Sequence, residues 1–282
     1  MEGKPKLLIT VDVENWFNSR LFNVERARQS KEAERFSTPY EDLNVVLEVL
    51  DKYNVKATFF VLGSLLEDYK YILGAIQKKG QEVGMHAYNH GEFRDEKEFS
   101  ADLKKGLEVF KDHGITPKGY RHPYFMINQR KLKILAQTFN YDASLVPSVH
   151  IPGHYGKLMA NAKPRREGTL TELPLSVMPL IRLPAATGWY YRNLGQRYVT
   201  SMISYSLKHY KYAHICLHTW EFTEKNRVQG VPFHVFRNCG KPMENLVKEL
   251  VKLAADNKAE TTTCSQYVDQ AADESKSHLN LK

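Results

Sequence analysis

A chain of 282 residues, 42% hydrophobic and 26% charged, suits one large α/β domain or two small ones and can bury a sizeable core. No apolar run approaches the roughly 20 residues that cross a bilayer, and Lys4-Pro5-Lys6 leads straight into a strand-like segment rather than a signal peptide, so a cytoplasmic protein with no stable membrane insertion is expected. The net charge of +8 is dispersed rather than gathered on one face with aromatics, which argues against a nucleic-acid partner and leaves a solvated basic surface or an anionic substrate such as a sugar phosphate.

The first strand is Leu7-Leu8-Ile9-Thr10-Val11-Asp12-Val13-Glu14. Alternation puts Leu8, Thr10, Asp12 and Glu14 on one face, where two like charges side by side need a metal or a division of acid and base roles. Residues 15–37 are a polar insert, read either as a lid or as a plain surface insertion. Thr38-Pro39-Tyr40-Glu41 is a capping box opening a helix that carries Leu43, Val46, Leu47 and Leu50. Strands follow at Val55–Val61, Glu82–His86, Gly119–Arg121 and Ala143–Val146, separated by helical periods that stop at Gly80 and Gly114. Periodicity lapses over 147–168. Glu172-Leu173-Pro174-Leu175 reads as an edge or short strand because Pro174 cannot donate to a ladder. After a helix with Tyr198, Met202 and Leu207 comes the strand His214–His218, then a long helix with Met243, Leu246, Val247, Leu250 and Leu253. About seven strand–helix alternations without a composition break predict one α/β catalytic domain over 1–270 with a parallel, barrel-like sheet, inserts at 15–37 and 147–168, and a polar tail at 271–282. There is no G-x-G-x-x-G after a strand and no P-loop. Cys216, Cys239 and Cys264, odd in number and far apart, fit reduced thiols.

Six ionisable residues stand at predicted strand ends: Asp12, Glu14, His86, His90, Arg121 and His218. In parallel α/β sheets those ends share one mouth, where active sites form. Two histidines four residues apart and one carboxylate make a catalytic metal set with an open position. A metal needs only one of the two acids; the other can take a proton from water, with Arg121 holding it as a carboxylate. His218 beside Trp220 reads either as a cation that protonates a leaving amine or as a satisfied core histidine. Trp189 and Tyr190 suit stacking on a sugar face or packing at the rim, and His154 in the 147–168 loop is a candidate rim contact; together with Trp220 these form the expected substrate-binding set.

On these residues the chain resembles the polysaccharide deacetylases of NodB homology, carbohydrate esterase family 4, from about Lys6 to Tyr267. The motifs are Thr10-Val11-Asp12-Val13-Glu14, Ala57–Val61, His86-Ala87-Tyr88-Asn89-His90, Arg121-His122-Pro123-Tyr124 and Leu217-His218. The resemblance implies a distorted (β/α)7 barrel with Asp12 as general base and His218 as general acid. It further implies Glu14, His86 and His90 as ligands of a divalent metal, most often Zn2+, with Co2+, Ni2+ and Mn2+ as alternatives. Arg121 would orient Asp12, and the Tyr124 N–H would help hold an oxyanion. The implied reaction removes N-acetyl groups from an N-acetylated glycan or carrier-linked sugar, releasing acetate and a free amine. Two features depart from the family pattern. The first motif is Asp-x-Glu instead of an adjacent acid pair; with His218-Thr219-Trp220-Glu221 it resembles a branch associated with exopolysaccharide clusters. The Asp-x-x-Trp motif that tunes the catalytic histidine is not recognisable, and Asp142 is its nearest substitute. Two other readings stand beside this one: a metal-dependent hydrolase of a small non-sugar amide, and a glycan-binding protein without catalysis, against which Asp12 and His218 together argue.

Overall fold

The computed structural model describes residues 4–18, 25, 29–31, 33–151 and 155–279, and its sheet is built outward from β1 (Lys6–Val13). Strand alternation splits β1 between two environments. Leu7, Ile9, Val11 and Val13 face the helices in the main core, while Leu8 joins Phe60, Tyr141, Leu173 and Tyr212 in a smaller interior cluster. Thr10 and Asp12 share the parity of Leu8, so the strand delivers them to the interior.

On one side of β1 lie β2 (Thr58–Val61), β3 (Glu82–Met85), β4 (Gly119–Tyr120) and β5 (Tyr141–Asp142), all parallel. Beyond β5 come β7 (Leu170–Glu172), also parallel, and β6 (Arg165–Glu167), antiparallel to β7. On the other side of β1 stands β8 (Tyr212–His218), whose register sets His218 against Asp12. β9 (Glu260–Thr262) pairs with the first residues of β1, below the point where β2 begins. Helices cover the outer face: α1 (Pro39–Lys52), α2 (Leu65–Asp68), α3 (Ile72–Lys78), α4 (Glu96–Asp112) and α5 (Gln129–Leu135) in the first half, then α6 (Gly188–Leu194) and α7 (Gln196–Tyr210). After the short α8 (Phe233–Phe236), α9 (Lys241–Asp256) joins them, whereas α10 (Cys264–Leu279) packs on the interior cluster through Cys264, Tyr267 and Val268. The capping box opens α1 as expected: the Thr38 N–H donates to Glu41 Oε2 (2.8 Å) and the Glu41 N–H to Thr38 Oγ1 (3.3 Å).

Irregular chain closes the curled sheet against β8. Ser176 N donates to His214 O (3.0 Å) and Cys216 N to Ala186 O (2.9 Å). The architecture is the distorted (β/α)7 barrel expected from the sequence. β6 was hidden within the 147–168 loop, because Arg165 and Arg166 are both exposed and show no alternation. The last helix runs through Leu279 rather than giving way to a tail at residue 271. Much of the predicted 15–37 insert lies outside the described residues. Its described ends, Trp16, Phe17 and Phe36, pack with Trp220, Val231, Val235 and Phe236 in a separate apolar cluster.

Candidate active site

Asp12 ends β1 nearly without exposure, and Arg121, just past β4, is fully buried beside it. Arg121 Nη1 donates to Asp12 Oδ1 at 2.7 Å. Its Nη2 reaches Thr10 Oγ1 (2.8 Å) and His214 Nε2 (3.0 Å), and its Nε the Ala143 carbonyl (3.0 Å). Phe60 lies under the guanidinium, 4.3 Å away. Burial and Arg121 hold His214 well below its ordinary pKa, so it stays neutral and accepts from Arg121. Burial alone would raise the Asp12 pKa, but Arg121, then His86 and His218, outweigh it and keep the carboxylate ionised. Cys216 Sγ donates to Asp12 Oδ2 at 3.2 Å. That thiol is pushed far above its ordinary pKa by burial and by Asp12.

Glu14, His86 and His90 bring one ligand atom each to within 4.8 Å of one another. Glu14 Oε2 lies 2.7 Å from His90 Nε2 and 3.8 Å from His86 Nε2. His86 Nδ1 is 2.9 Å from the Arg121 carbonyl; donation there leaves Nε2 unprotonated and facing the acids, the tautomer a metal requires. Glu14 Oε2 and His90 Nδ1 are buried without a properly aligned hydrogen bond, a cost an ion bound to this set would relieve for the carboxylate. Despite burial, His90, His86 and His218 hold Glu14 well below the ordinary carboxylate range. Two imidazoles and an ionised carboxylate therefore fit a divalent cation in donor type and in proximity. The backbone around them is strained: Ala87 (φ 64°), Tyr124 (56°) and Phe125 (57°) all occupy the left-handed region, the kind of departure that collects at functional sites. The Tyr124 ring meets His90 edge-on at 4.4 Å.

His218, at the end of β8, has Nε2 3.6 Å from Glu14 Oε1 and Nδ1 3.4 Å from Glu221 Oε2. Trp220 stacks on its ring at 5.7 Å. Glu221 is itself fixed: Arg192 Nε and Nη2 approach its Oε1 at 3.0 and 2.9 Å, and both side chains are fully buried. Arg192 Nη1 also donates to the carbonyls of Val235 and Arg237. A Cβ on Gly188 would sit 2.1 Å from Glu221 Oε2, so α6 must begin with glycine for this carboxylate to fit. Burial opposes the His218 cation, but Glu221, then Glu14 and Asp12, raise its pKa to about 9. The partner of His218 is thus Glu221, not Asp142. Ser144 claims both Asp142 oxygens, through its N–H (3.0 Å) and its Oγ (2.6 Å).

These groups line a cleft of about 170 Å³ whose wall also includes Asn18, His122, Tyr155, Thr187 and Trp189. The structure brings Asp12, Glu14, His86, His90, Tyr124, His218 and Trp189 to that wall, with Arg121 behind it. Two expected sugar contacts lie elsewhere. Tyr190 is buried with its hydroxyl 3.0 Å from that of Tyr155, and Trp220 packs behind His218, with Arg192 over its ring. His154 lies outside the described residues. Glu221 was visible in the sequence three residues beyond His218 but carried no assigned role. Tyr155, in the His154-Tyr155-Gly156 stretch read as a candidate rim contact, does reach the wall, whereas Arg192 and Thr187 offer no local signal.

The polysaccharide deacetylase family matches residues 38–142, and a domain of unknown function (DUF3473) matches 143–268. A peptidoglycan-N-acetylglucosamine deacetylase of Bacillus cereus is 34% identical over 121 residues, covering 36% of this chain and 44% of the relative. The match therefore spans less than half that relative's length. Among solved structures, a Mycobacterium smegmatis protein assigned to the polysaccharide deacetylases superposes with a TM-score of 0.65 at 20% identity, over 97% of this chain and 92% of its own. A CE4-family pseudoenzyme from Bacillus anthracis gives a TM-score of 0.54 at 12% identity, over 95% and 66%. The fold is thus shared with a protein described as a pseudoenzyme, and activity must be argued from the side chains.

Proposed function

From the match of residues 38–142 to the polysaccharide deacetylase family and the side chains gathered in the cleft, we propose that the chain hydrolyses the N-acetyl group of an N-acetylated glycan, free or carrier-linked, releasing acetate and an amine. The observation that carries this reading is the convergence of Glu14, His86 and His90 beside an Arg121-held Asp12 and opposite a Glu221-held His218. Glu14, His86 and His90 are the residues that would hold a divalent metal, zinc or a neighbour such as cobalt, nickel or manganese. Bound there, the metal would polarise the acetyl carbonyl and acidify water.

The chain's own residues divide the proton work. Asp12 receives the proton of the attacking water at Oδ2, which faces only the weak Cys216 thiol donor, while the Arg121 guanidinium occupies Oδ1. Arg121 keeps that carboxylate ionised and aimed. His218 donates from Nε2 to the departing nitrogen, while Glu221 steadies the imidazolium through Nδ1. The strained turn at Tyr124 presents its backbone N–H to the developing oxyanion. Trp189 at the rim stacks on the sugar. Both acid and base are present, which sets this chain apart from a binding protein that would need neither.

The test is acetate release from a panel of N-acetylated glycans and small amides. The proposal expects turnover of the glycans that is lost in Asp12→Asn and in His218→Ala. Turnover confined to small amides, or untouched by both substitutions, overturns it.

A further inference from the structure

Two turns, one shortly after and one shortly before residues of the cleft wall in sequence, hold large apolar side chains out in water. Leu158 and Met159 stand on one, and Leu180, Ile181 and Leu183 on or next to the other; Met159 is 94% exposed and Leu180 96%. Single exposed hydrophobes are ordinary, but five on two adjoining turns are not.

The turns are firmly built. Arg182 Nη1 donates to the carbonyls of Leu158 (2.7 Å) and Ala160 (2.6 Å), tying one turn to the other. Met178 N donates to Leu183 O (2.8 Å) and Val149 N to Arg182 O (2.9 Å), and Val177 bridges Pro184. Leu180 and Arg182 are held at φ 65° and 49°, left-handed conformations that are uncommon for residues with side chains. The backbone thus presents the apolar groups outward instead of letting them fold back onto the protein.

Their surroundings are basic. Between residues 143 and 186 the sequence carries Lys157, Lys163, Arg165, Arg166 and Arg182 against only Glu167 and Glu172, and Glu172 is buried. Arg182 spends its hydrogen bonds on neutral carbonyls, and among the described residues it makes no ion pair. A convex apolar tip with cations around it matches a deformable, negatively charged surface that is apolar just beneath.

We propose that this tip docks the protein on an anionic lipid bilayer, with Leu158, Met159, Leu180 and Ile181 entering the headgroup–acyl boundary and Lys157 and Arg182 meeting the lipid charge. No spanning segment is required, and among the described residues no helix is long and apolar enough to cross a membrane. The first turn follows Tyr155 and the second precedes Thr187, both in the cleft wall. Docking would therefore bring the cleft mouth beside the bilayer, where a glycan on a lipid carrier is presented. The docking itself does not depend on what the cleft hydrolyses.

The full chain is sedimented with vesicles of phosphatidylcholine alone or mixed with phosphatidylglycerol. The expected result is pelleting with the anionic vesicles that weakens as salt rises, and a roughly tenfold or larger loss of partitioning in Met159→Asp/Leu180→Asp. Both sites are exposed, so the thermal midpoint of that variant should match the parent. In Leu180→Trp, anionic vesicles should shift tryptophan emission to the blue. Absence of pelleting with either vesicle, or equal pelleting of parent and double variant, overturns the proposal. So does a concentration-dependent dimer that the double variant abolishes, since the tip would then belong to a second copy of the chain.

Discussion

Up to Asp142, most of the site stands at or just past the end of a regular strand: Asp12 at the end of β1 with Glu14 one residue beyond it, His86 past β3 and Arg121 past β4, with His90 and Tyr124 on the turns that follow. After Asp142, the contributions come from irregular chain, a short helix and one isolated strand end, yet His218 meets Asp12 in register across β1 and β8. The two halves hold their charges in the same way. Arg121 is buried against Asp12, and Arg192 is buried against Glu221, each arginine also tied to backbone carbonyls. In the first half the ladder positions the side chains and the arginine sets the charge. In the second, β8 still places His218, but the arginine–glutamate pair fixes the carboxylate behind it, and the chain between residues 143 and 187 is tied to the sheet mainly by the short β7 and by scattered backbone bonds to β8.

This contrast can be broken from either side. The largest effect is expected on catalysis, where Asp12→Asn and His218→Ala should each lower acetate release by about 10²–10⁴-fold without unfolding the protein. Equal losses would show that the two halves contribute comparable proton chemistry. Next come the buried arginines. Arg192→Met leaves the buried Glu221 with His218 as its remaining charged partner, and should cost about 3–5 kcal/mol by urea denaturation. Arg192→Met/Glu221→Gln should regain most of that stability but not the activity, separating the pair's structural role from its service to His218. If activity returned with stability, Glu221 would have no part in positioning the histidine.

Gly188→Ala is a smaller perturbation. Its methyl would fall on Glu221 Oε2, and an overpacking cost of about 1–3 kcal/mol should come with a fall in kcat larger than any change in KM. The smallest effect concerns stability and pH. Glu172 and Asp142 face each other across β5 and β7. Burial, then Asp142 and Glu167, push the Glu172 carboxyl up to about 7, and burial pushes Asp142 up to about 6. A folded pKa above the unfolded one favours the protonated native state. That stabilisation is complete below an unfolded pKa of about 4.3 and is lost as pH rises through about 7. Melting curves from about pH 5 to 8 should therefore show a steeper decline in the parent than in Glu172→Gln.

Much of the first half could be read from the sequence, because its signals are local. Strand parity placed Thr10, Asp12 and Glu14 on one face, the four-residue spacing paired His86 with His90, and the capping box marked the start of α1. The second half depends on contacts between distant residues. Nothing near Arg192 indicates that it meets Glu221, 29 residues away. By sequence Asp142 is the natural substitute for the missing histidine partner, but Ser144, two residues later, occupies both of its oxygens. Tyr190 and Trp220 have the composition of sugar contacts, and only packing separates them from Trp189, which reaches the cleft. The apolar turn at Leu158–Met159 lies where periodicity lapses, and Leu180–Ile181 falls between the short strand at 172–175 and the next helix, so exposure could not be inferred at either.

Metal dependence of acetate release, read together with metal content, tests the central claim most directly. Chelator-treated protein should release no acetate, and added zinc should restore release in proportion to a single ion bound per chain, while Glu14→Ala and His86→Ala/His90→Ala should bind none. Full acetate release by metal-free protein, or undiminished zinc binding by those variants, would contradict the account.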